Sequence, residues 1–192
     1  MNHFFAYLSR MKFINRSGLM HNTYPENIQE HSLRVAMIAH ALAIIRNRAF
    51  GGAVNPERTA VLALFHDASE VLTGDLPAPV KNFNPEIKTA YKAIEAAAAR
   101  KLLQMIPEAL QADYHGLFVA DDKDREHREL VTAADKLCAY GKCLEEIGAG
   151  NPEFAKAEKT LRASVDALPL PEVRYFLDTF IPSFRLTLDE LE

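Results

Sequence analysis

The sequence predicts an all-α fold. Apolar residues recur at helical spacing along most of the 192-residue chain, and only 8 residues are glycine. Alternation of apolar and polar residues, the mark of a half-buried strand, does not persist beyond a few positions. Three Asn-Pro pairs each join a good N-cap to a residue suited to the first helical position. These pairs are Asn55-Pro56, Asn84-Pro85 and Asn151-Pro152.

The helices are bounded by such start signals and by the turn residues between them. Asn27, followed three residues later by Glu30, has the pattern of a capping box and opens a further helix. Glycine- and proline-containing turns separate the segments, and the Pro-rich stretch 168–171 forms a corner before the last one. The predicted helices span residues 2–14, 28–47, 56–69, 85–105, 124–148, 152–166 and 171–180.

Composition excludes several classes of function. With 22 Lys and Arg against 26 Asp and Glu, the formal net charge of −4 argues against a dedicated binder of nucleic-acid polymers. No apolar run approaches about 18 residues, so no membrane-spanning helix is expected. The first residues lack the apolar length and cleavage site of a signal peptide. Cys138 and Cys143 are expected to be reduced core thiols. We therefore expect a cytoplasmic globular protein.

The least ordinary run of the chain is residues 60–70, where an apolar helix ends on an imidazole and two carboxylates. Glu70 lies four residues after His66 and three after Asp67, so helical spacing would bring all three to one region. Charged groups at the end of a buried helix need partners, and a metal ion is one solution. The alternative is a histidine that caps the last carbonyls of the helix, beside solvated carboxylates.

Two further segments offer candidate ligands. His31 falls on the apolar stripe of the second predicted helix, whereas His40 falls on its opposite face. Asp135 lies on a small-residue apolar face, where a carboxylate is costly unless it is paired. By itself such a histidine is more often a core residue, and such a carboxylate is equally explained by a buried ion pair. Together with His66 and Asp67, however, the two would bind one divalent cation and leave two octahedral positions for water and substrate.

This H…HD…D pattern on an all-α chain resembles that of the HD-domain metal-dependent phosphohydrolases. The resemblance extends to the bacterial 5′-deoxynucleotidase family, and the similar stretches run over nearly the whole chain. They are residues 8–10, 14–16, 30–36, 66–77, 135–140 and 180–184. The resemblance implies a single HD-domain helical bundle over residues 1–192, with its core motifs within 28–148.

The resemblance also implies a role for each matching residue. Glu70 and Asp75 match the family's catalytic acidic pair, and Arg16 matches the catalytic arginine that orients the phosphate. Without the resemblance, Arg16 would be interpreted as a surface residue and Asp75 as a turn residue. The metal-ligand positions are His31, His66, Asp67 and Asp135. The substrate-binding positions are Arg16, Ser17, Asp67, Asp75, Leu76, Pro77, Ala78 and Asp135.

The implied activity is hydrolysis of deoxyribonucleoside 5′-monophosphates to deoxyribonucleosides and phosphate, by a cytoplasmic homodimer. The cofactor would be one divalent metal ion, and His/Asp ligands suit Co²⁺, Mn²⁺, Fe²⁺ and Zn²⁺ almost equally. Glu70 would take or orient the proton of a water, and Asp75 would assist the leaving oxygen or hold that water. The family commonly has a Trp directly after the arginine, whereas this chain has Ser17 there and no Trp anywhere. Its discrimination against the 2′-hydroxyl is therefore a question for experiment.

Two other functions stay open. One is an HD phosphohydrolase acting on a ribonucleotide, a cyclic nucleotide or a guanosine polyphosphate, although no second His-rich set suggests a two-metal site. The other is a non-catalytic regulator that binds a nucleotide. The presence of Glu70 and Asp75 beside all four ligand positions counts against a regulator, since binding alone does not need both.

Overall fold

The computed structural model describes residues 1–191 and confirms the all-α prediction. Within these residues the regular structure is helical, and the one β-type pairing is an isolated antiparallel bridge between Asn15 and Asn27. The α-helices are α1 (Phe4–Leu8), α2 (Ile28–Phe50), α3 (Pro56–Leu64), α4 (Glu70–Thr73), α5 (Ala78–Lys81), α6 (Pro85–Met105), α7 (Glu108–Phe118), α8 (Arg125–Gly148), α9 (Ala155–Asp166) and α10 (Pro171–Thr179). Short 3₁₀ turns span Ser9–Phe13, Asp122–Asp124, Pro152–Phe154, Ile181–Arg185 and Leu188–Glu190.

The chain forms two compact units, each built from segments that are separate in sequence. The first unit comprises residues 1–20, 25–33 and 64–125, and therefore contains α1, the first turn of α2 and α4 to α7. Among the described residues, the second unit comprises 21–24, 34–63 and 126–191. The sequence analysis expects a single domain over residues 1–192. This division into two compact units does not test that expectation, which stays a prediction.

The predicted helix starts are confirmed where an Asn side chain caps the first turn. Asn27 accepts a hydrogen bond from the N–H of Glu30 (3.0 Å), and the Glu30 carboxylate accepts one from the N–H of Asn27 (3.2 Å). Asn55 and Asn84 each accept from the N–H three residues later, at 2.8 and 2.7 Å, and so cap α3 and α6. Asn151 caps the 3₁₀ turn that leads into α9. Each cap satisfies backbone donors that the helix itself leaves unpaired.

Two segments outside the candidate site differ from the sequence prediction. The first predicted helix, 2–14, ends as an α-helix at Leu8 and continues as a 3₁₀ turn, where the Ser9 hydroxyl donates to the carbonyl of Ala6 (2.8 Å). Helix α7 lies outside the predicted helices, since Gly116 near its end is a turn signal in the sequence. In the structure that helix is stabilised by packing of its aromatic residues, a contact that local propensity does not contain.

An aromatic cluster forms part of the core of the first unit. The ring of Phe4 meets those of Tyr114 and Phe118 edge to face, with centroids 5.6 and 5.9 Å apart. The ring of Phe65 meets that of Phe118 in the same way at 5.9 Å. Because Phe65 directly precedes His66, this packing fixes the beginning of the turn that carries two of the candidate ligands.

A buried carboxylate organises part of the second unit. Glu146 is 2% exposed and accepts hydrogen bonds from the Lys142 ammonium and from the Asn151 side chain (2.9 Å). It also accepts from the main-chain N–H groups of Thr23 (2.9 Å) and Tyr24 (3.2 Å). Burial alone would raise its pKa, but these donors outweigh burial and hold the pKa of Glu146 well below its ordinary value.

Two predictions from composition also have structural counterparts. Cys138 and Cys143 are both buried thiols on α8, as expected for core residues. Among the helices of residues 1–191, none combines the length and the apolar character that crossing a bilayer requires.

Candidate active site

The segment after α3 departs from the helix predicted over 56–69. Helix α3 ends at Leu64, and N–H groups then bond to carbonyls three residues back, as from Glu70 to Asp67 (2.9 Å). Successive residues of an α-helix point about 100° apart. In the structure, Nε2 of His66 nevertheless lies 3.1 Å from Oδ2 of Asp67, and both residues lie in these turns and not in an α-helix. The expectation that this pair lies on a helix is therefore wrong.

His31 faces this pair from the first turn of α2. Its side chain is 1% exposed, and its Nε2 lies 3.9 Å from Oδ2 of Asp67. The ring centroids of His31 and His66 are 5.5 Å apart. One donor atom from each of the three residues lies within 4.8 Å of the other two. Three of the four predicted metal ligands are thus brought together.

The three donors fit a divalent transition-metal ion. Two imidazole nitrogens and a carboxylate oxygen are ligands that such ions favour, with bonds of about 2.0–2.2 Å that suit donors this close together. A ligating carboxylate must be ionised. Burial alone would raise the pKa of Asp67, but the neighbouring His66, Arg16 and His31 outweigh burial and hold that pKa well below its ordinary value.

A short backbone pairing brings Arg16 to the same place. The N–H of Arg16 donates to the carbonyl of Glu26 (2.8 Å), and the N–H of Ile28 donates to the carbonyl of Ile14 (2.9 Å). The Arg16 guanidinium then donates to Oδ2 of Asp67 at 2.9 Å. The arginine to which the family resemblance assigns phosphate binding therefore lies directly beside the candidate metal ligands.

Glu70 is a buried carboxylate with an unusual proton affinity. It is 5% exposed, and burial, with the added charges of Asp67 and Asp75, raises the pKa of Glu70 to about 8. The positive charges of Arg16 and Lys81 oppose this rise. A carboxyl group that exchanges its proton near neutral pH is suited to acid–base chemistry.

The loop after α4 carries the stretch predicted to bind the nucleotide. Gly74 adopts φ +72°, which glycine reaches at no steric cost, and turns the chain toward Asp75. The half-buried Asp75 accepts a hydrogen bond from the N–H of Ser17 (3.2 Å). Leu76 and Pro77 are half-buried, and the exposed Ala78 begins α5.

Three contacts hold this loop and α5 against α6. The Tyr91 hydroxyl donates to the carbonyl of Gly74 (3.3 Å). Nζ of Lys81 lies 2.8 Å from Oε1 of Glu95 and 4.7 Å from the centroid of the Tyr91 ring. Sequence reasoning missed Tyr91 and Glu95, because neither has a local pattern that distinguishes it from other residues of an amphipathic helix.

Asp135, the fourth predicted ligand, lies on α8 in the second unit. It is half-buried, and its neighbours Val131 and Cys138 are buried, in agreement with the apolar face expected around it. The three donors described above all come from the first unit. The assignment of Asp135 as a metal ligand stays a prediction.

Glu26 is a site residue that sequence reasoning missed. Its Oε2 lies 3.6 Å from Nδ1 of His31 and 3.7 Å from Nε of Arg16. The one sequence signal was its position directly before the capping residue Asn27, which places it at the entry to the helix of His31.

The family comparison decides the class of this site. The family model for 5′-deoxynucleotidases of the YfbR-like type matches residues 3–184. The chain belongs to the YfbR-like 5′-deoxynucleotidase family. A 5′-deoxynucleotidase of Vibrio parahaemolyticus is 56% identical over 190 residues, which cover 99% of this YfbR-like chain and 98% of that protein. The resemblance carried by the H…HD…D pattern is thereby confirmed.

Solved structures share the fold of this YfbR-like chain. An HD-domain phosphohydrolase from Listeria innocua has a TM-score of 0.82 at 25% identity, over 95% of this chain and 88% of that one. The cyanophage S-2L HD phosphohydrolase DatZ, solved bound to dA and one catalytic Zn²⁺ ion, has a TM-score of 0.63 at 22% identity, over 93% and 96%. The predicted HD-domain fold and hydrolase class are confirmed.

Proposed function

We propose that this protein hydrolyses deoxyribonucleoside 5′-monophosphates to deoxyribonucleosides and inorganic phosphate. Membership in the 5′-deoxynucleotidase family supports the reaction. The structural observation that carries the proposal is the grouping of His31, His66 and Asp67 within 4.8 Å, with the Arg16 guanidinium 2.9 Å from Asp67. A metal ion and a neighbouring guanidinium would together stabilise the negative charge of a phosphate dianion.

One divalent metal ion would complete the site, held by His31, His66, Asp67 and Asp135. When bound, such an ion lowers the pKa of a coordinated water and polarises a phosphoryl oxygen. We propose Co²⁺ or Mn²⁺ as effective ions, and Zn²⁺ is supported by its presence in the cyanophage relative.

Arg16 binds and orients the phosphate in this proposal. Its side chain is 20% exposed, so part of the guanidinium is accessible to a ligand. A guanidinium presents a planar set of donors that matches two phosphate oxygens at once. Ser17, Leu76, Pro77 and Ala78 would contact the nucleotide beyond the phosphate.

Glu70 accepts or orients the proton of the attacking water in this proposal. It acts as an acid–base group and is not one of the proposed metal ligands. Burial and the nearby carboxylates of Asp67 and Asp75 raise the pKa of Glu70, which favours uptake of a proton from that water. Asp75 assists the leaving 5′-oxygen or holds that water, and its bond to the Ser17 N–H fixes its position.

Phosphate release from dAMP and AMP, with Co²⁺ or Mn²⁺, tests the proposal on the wild type and on Glu70→Gln. We expect release from dAMP that falls by about 100-fold or more in Glu70→Gln, because the proton acceptor is lost. Glu86→Gln, the same change at an exposed residue of α6, should match the wild type. No release by the metal-loaded wild type would overturn the proposal.

The same assay decides between the remaining functions. Equal release from AMP and dAMP would show that a site with Ser17, in the place of the usual Trp, does not exclude substrates that carry a 2′-hydroxyl. Release from a cyclic nucleotide or a guanosine polyphosphate alone would change the substrate class. Binding of dAMP without release would indicate a regulator.

Two properties rest on the family resemblance alone. We propose that the enzyme is a homodimer and that it acts in the cytoplasm. Sedimentation equilibrium on the full-length protein measures the first, and fractionation of the source cells measures the second. A monomer at micromolar concentration would contradict the dimer.

A further inference from the structure

Glu26 is a buried carboxylate that lies between two site residues. It is 9% exposed and immediately precedes the cap of α2. Its Oε2 lies 3.6 Å from Nδ1 of His31 and 3.7 Å from Nε of Arg16. A carboxylate this buried costs free energy unless charged or hydrogen-bonding groups compensate it. Two of the groups near it are a candidate metal ligand and the candidate phosphate-binding arginine.

The two ring nitrogens of His31 face different carboxylates. Nε2 lies 3.9 Å from Asp67, among the candidate metal donors, whereas Nδ1 lies 3.6 Å from Glu26. An imidazole that offers Nε2 to a metal keeps its proton on Nδ1. A carboxylate on the Nδ1 side favours this tautomer and fixes the plane of the ring. At 3.6 Å the two atoms lie just beyond hydrogen-bond distance, so donation from Nδ1 requires the Glu26 carboxylate to move closer when the metal ion binds.

Glu26 contacts Arg16 through both its main chain and its side chain. Its carbonyl accepts the N–H of Arg16 at 2.8 Å, and its carboxylate faces Nε at 3.7 Å. The other end of the same guanidinium donates to Asp67 at 2.9 Å. A guanidinium flanked by two carboxylates has its plane fixed before any phosphate arrives, which lowers the entropy lost on binding.

We propose that Glu26 is a positioning residue that orients His31 for the metal ion and Arg16 for the phosphate of the substrate. This inference rests on the proposed function. It has two consequences, because loss of the Glu26 charge weakens metal binding through His31 and raises KM through Arg16. A carboxylate with a merely structural role would change the free energy of unfolding and neither of these quantities.

Titration of the metal-free, full-length protein with Co²⁺, followed by the visible absorption of the bound ion, is the first test. It compares the wild type with Glu26→Gln, Glu26→Asp and the exposed control Glu86→Gln. We expect Glu26→Gln to bind Co²⁺ about 10- to 100-fold more weakly. At saturating Co²⁺, its KM for dAMP should rise by a larger factor than its kcat falls.

The conservative variant and the control complete the comparison. Glu26→Asp retains the charge on a shorter side chain and should recover part of both losses, and Glu86→Gln should match the wild type. Wild-type Co²⁺ affinity and wild-type KM in Glu26→Gln would overturn the proposal. If the wild type binds Co²⁺ but releases no phosphate from dAMP, the proposed function fails, while the Co²⁺ affinities still test the action of Glu26 on His31.

A measurement on the wild type covers the case in which Glu26→Gln does not fold. Proton–nitrogen NMR of the histidine rings in the Zn²⁺-loaded protein, with His31 assigned by His31→Gln, reports which nitrogen carries the proton. We expect a strongly downfield proton on Nδ1 of His31, as for an N–H that donates to a carboxylate. A proton on Nε2 of that ring would overturn the proposal.

Discussion

The main-chain N–H of Ser17 donates a hydrogen bond to Oδ2 of Asp75, at 3.2 Å and across 58 positions of sequence. Ser17 itself has φ +55°, a left-handed conformation uncommon outside glycine. The bond joins the residue after Arg16 to the residue after Gly74. The loop of Arg16, the proposed phosphate-binding arginine, and the loop expected to line the nucleotide are therefore connected by a proposed catalytic carboxylate.

Two substitutions at Asp75 separate its charge from this hydrogen bond. Asp75→Asn keeps an oxygen acceptor without the charge, whereas Asp75→Ala removes both. We expect both variants to release phosphate about 100-fold more slowly, and only Asp75→Ala to lose about 1 kcal/mol of unfolding free energy. Phosphate assays and denaturant unfolding measure the two effects. Equal stability of both variants would show that the bond to Ser17 contributes nothing.

Two histidines of α2 provide a matched test of the metal site. His31→Gln removes a buried imidazole of the three-residue donor group, while His40→Gln removes a half-buried imidazole from the same helix. We expect His31→Gln to lose bound metal during gel filtration and His40→Gln to retain the wild-type amount. Metal content by atomic absorption is the measurement. The same metal content in both variants would exclude His31 as a ligand.

Replacement of Arg16 by lysine tests the need for a planar cation. An ammonium keeps the charge but cannot donate to two phosphate oxygens in a fixed plane. We expect kcat/KM for dAMP to fall about 10- to 100-fold in Arg16→Lys, the loss of one charged hydrogen bond. The exposed Arg10, which lies over the ring of Phe13, gives the control variant Arg10→Lys. A wild-type kcat/KM in Arg16→Lys would contradict a bidentate role.

Stability should depend on pH through Glu146. Its pKa is depressed in the folded chain and close to the ordinary 4.5 in the unfolded chain. As the pH falls below about 4.5, Glu146 becomes protonated in the unfolded chain but stays ionised in the folded chain. Its stabilising contribution is therefore present above that pH and is lost progressively below it. Glu146→Gln should therefore cost about 3 kcal/mol at pH 7, because Lys142 stays buried without its partner charge.

The neighbouring carboxylate supplies the control for this prediction. Glu145→Gln makes the same chemical change one residue away, at an exposed group paired with Arg34. We expect it to cost less than about 1 kcal/mol. Urea unfolding at pH 7 and pH 3 measures both variants. The difference between Glu146→Gln and the wild type should shrink at pH 3, and a constant difference would contradict the assigned pKa.

Local signals explain which parts of the fold were predictable. A helix cap needs only an Asn and the N–H two or three residues later, so Asn27, Asn55 and Asn84 predicted the starts of α2, α3 and α6 correctly. The apolar stripe of α2 likewise predicted burial of His31. Helix α7 and the tight turn at residues 65–69 were not predicted. Packing of aromatic side chains stabilises α7, and contacts of polar side chains that are distant in sequence stabilise the turn, so neither has a local signal.

The same distinction between local signals and tertiary contacts applies to the candidate site. The sequence by itself determined the candidate metal ligands His31, His66 and Asp67 and the helix that presents His31, since residue identity and helical periodicity are properties of short segments. Only the tertiary structure decided that Arg16, Glu26 and Asp67 converge. Their contacts join residues 10 to 51 positions apart through the pairing that brings residues 14–16 alongside residues 26–28. Electrostatic compensation of buried charge depends on distance in space, which spacing along the chain does not determine.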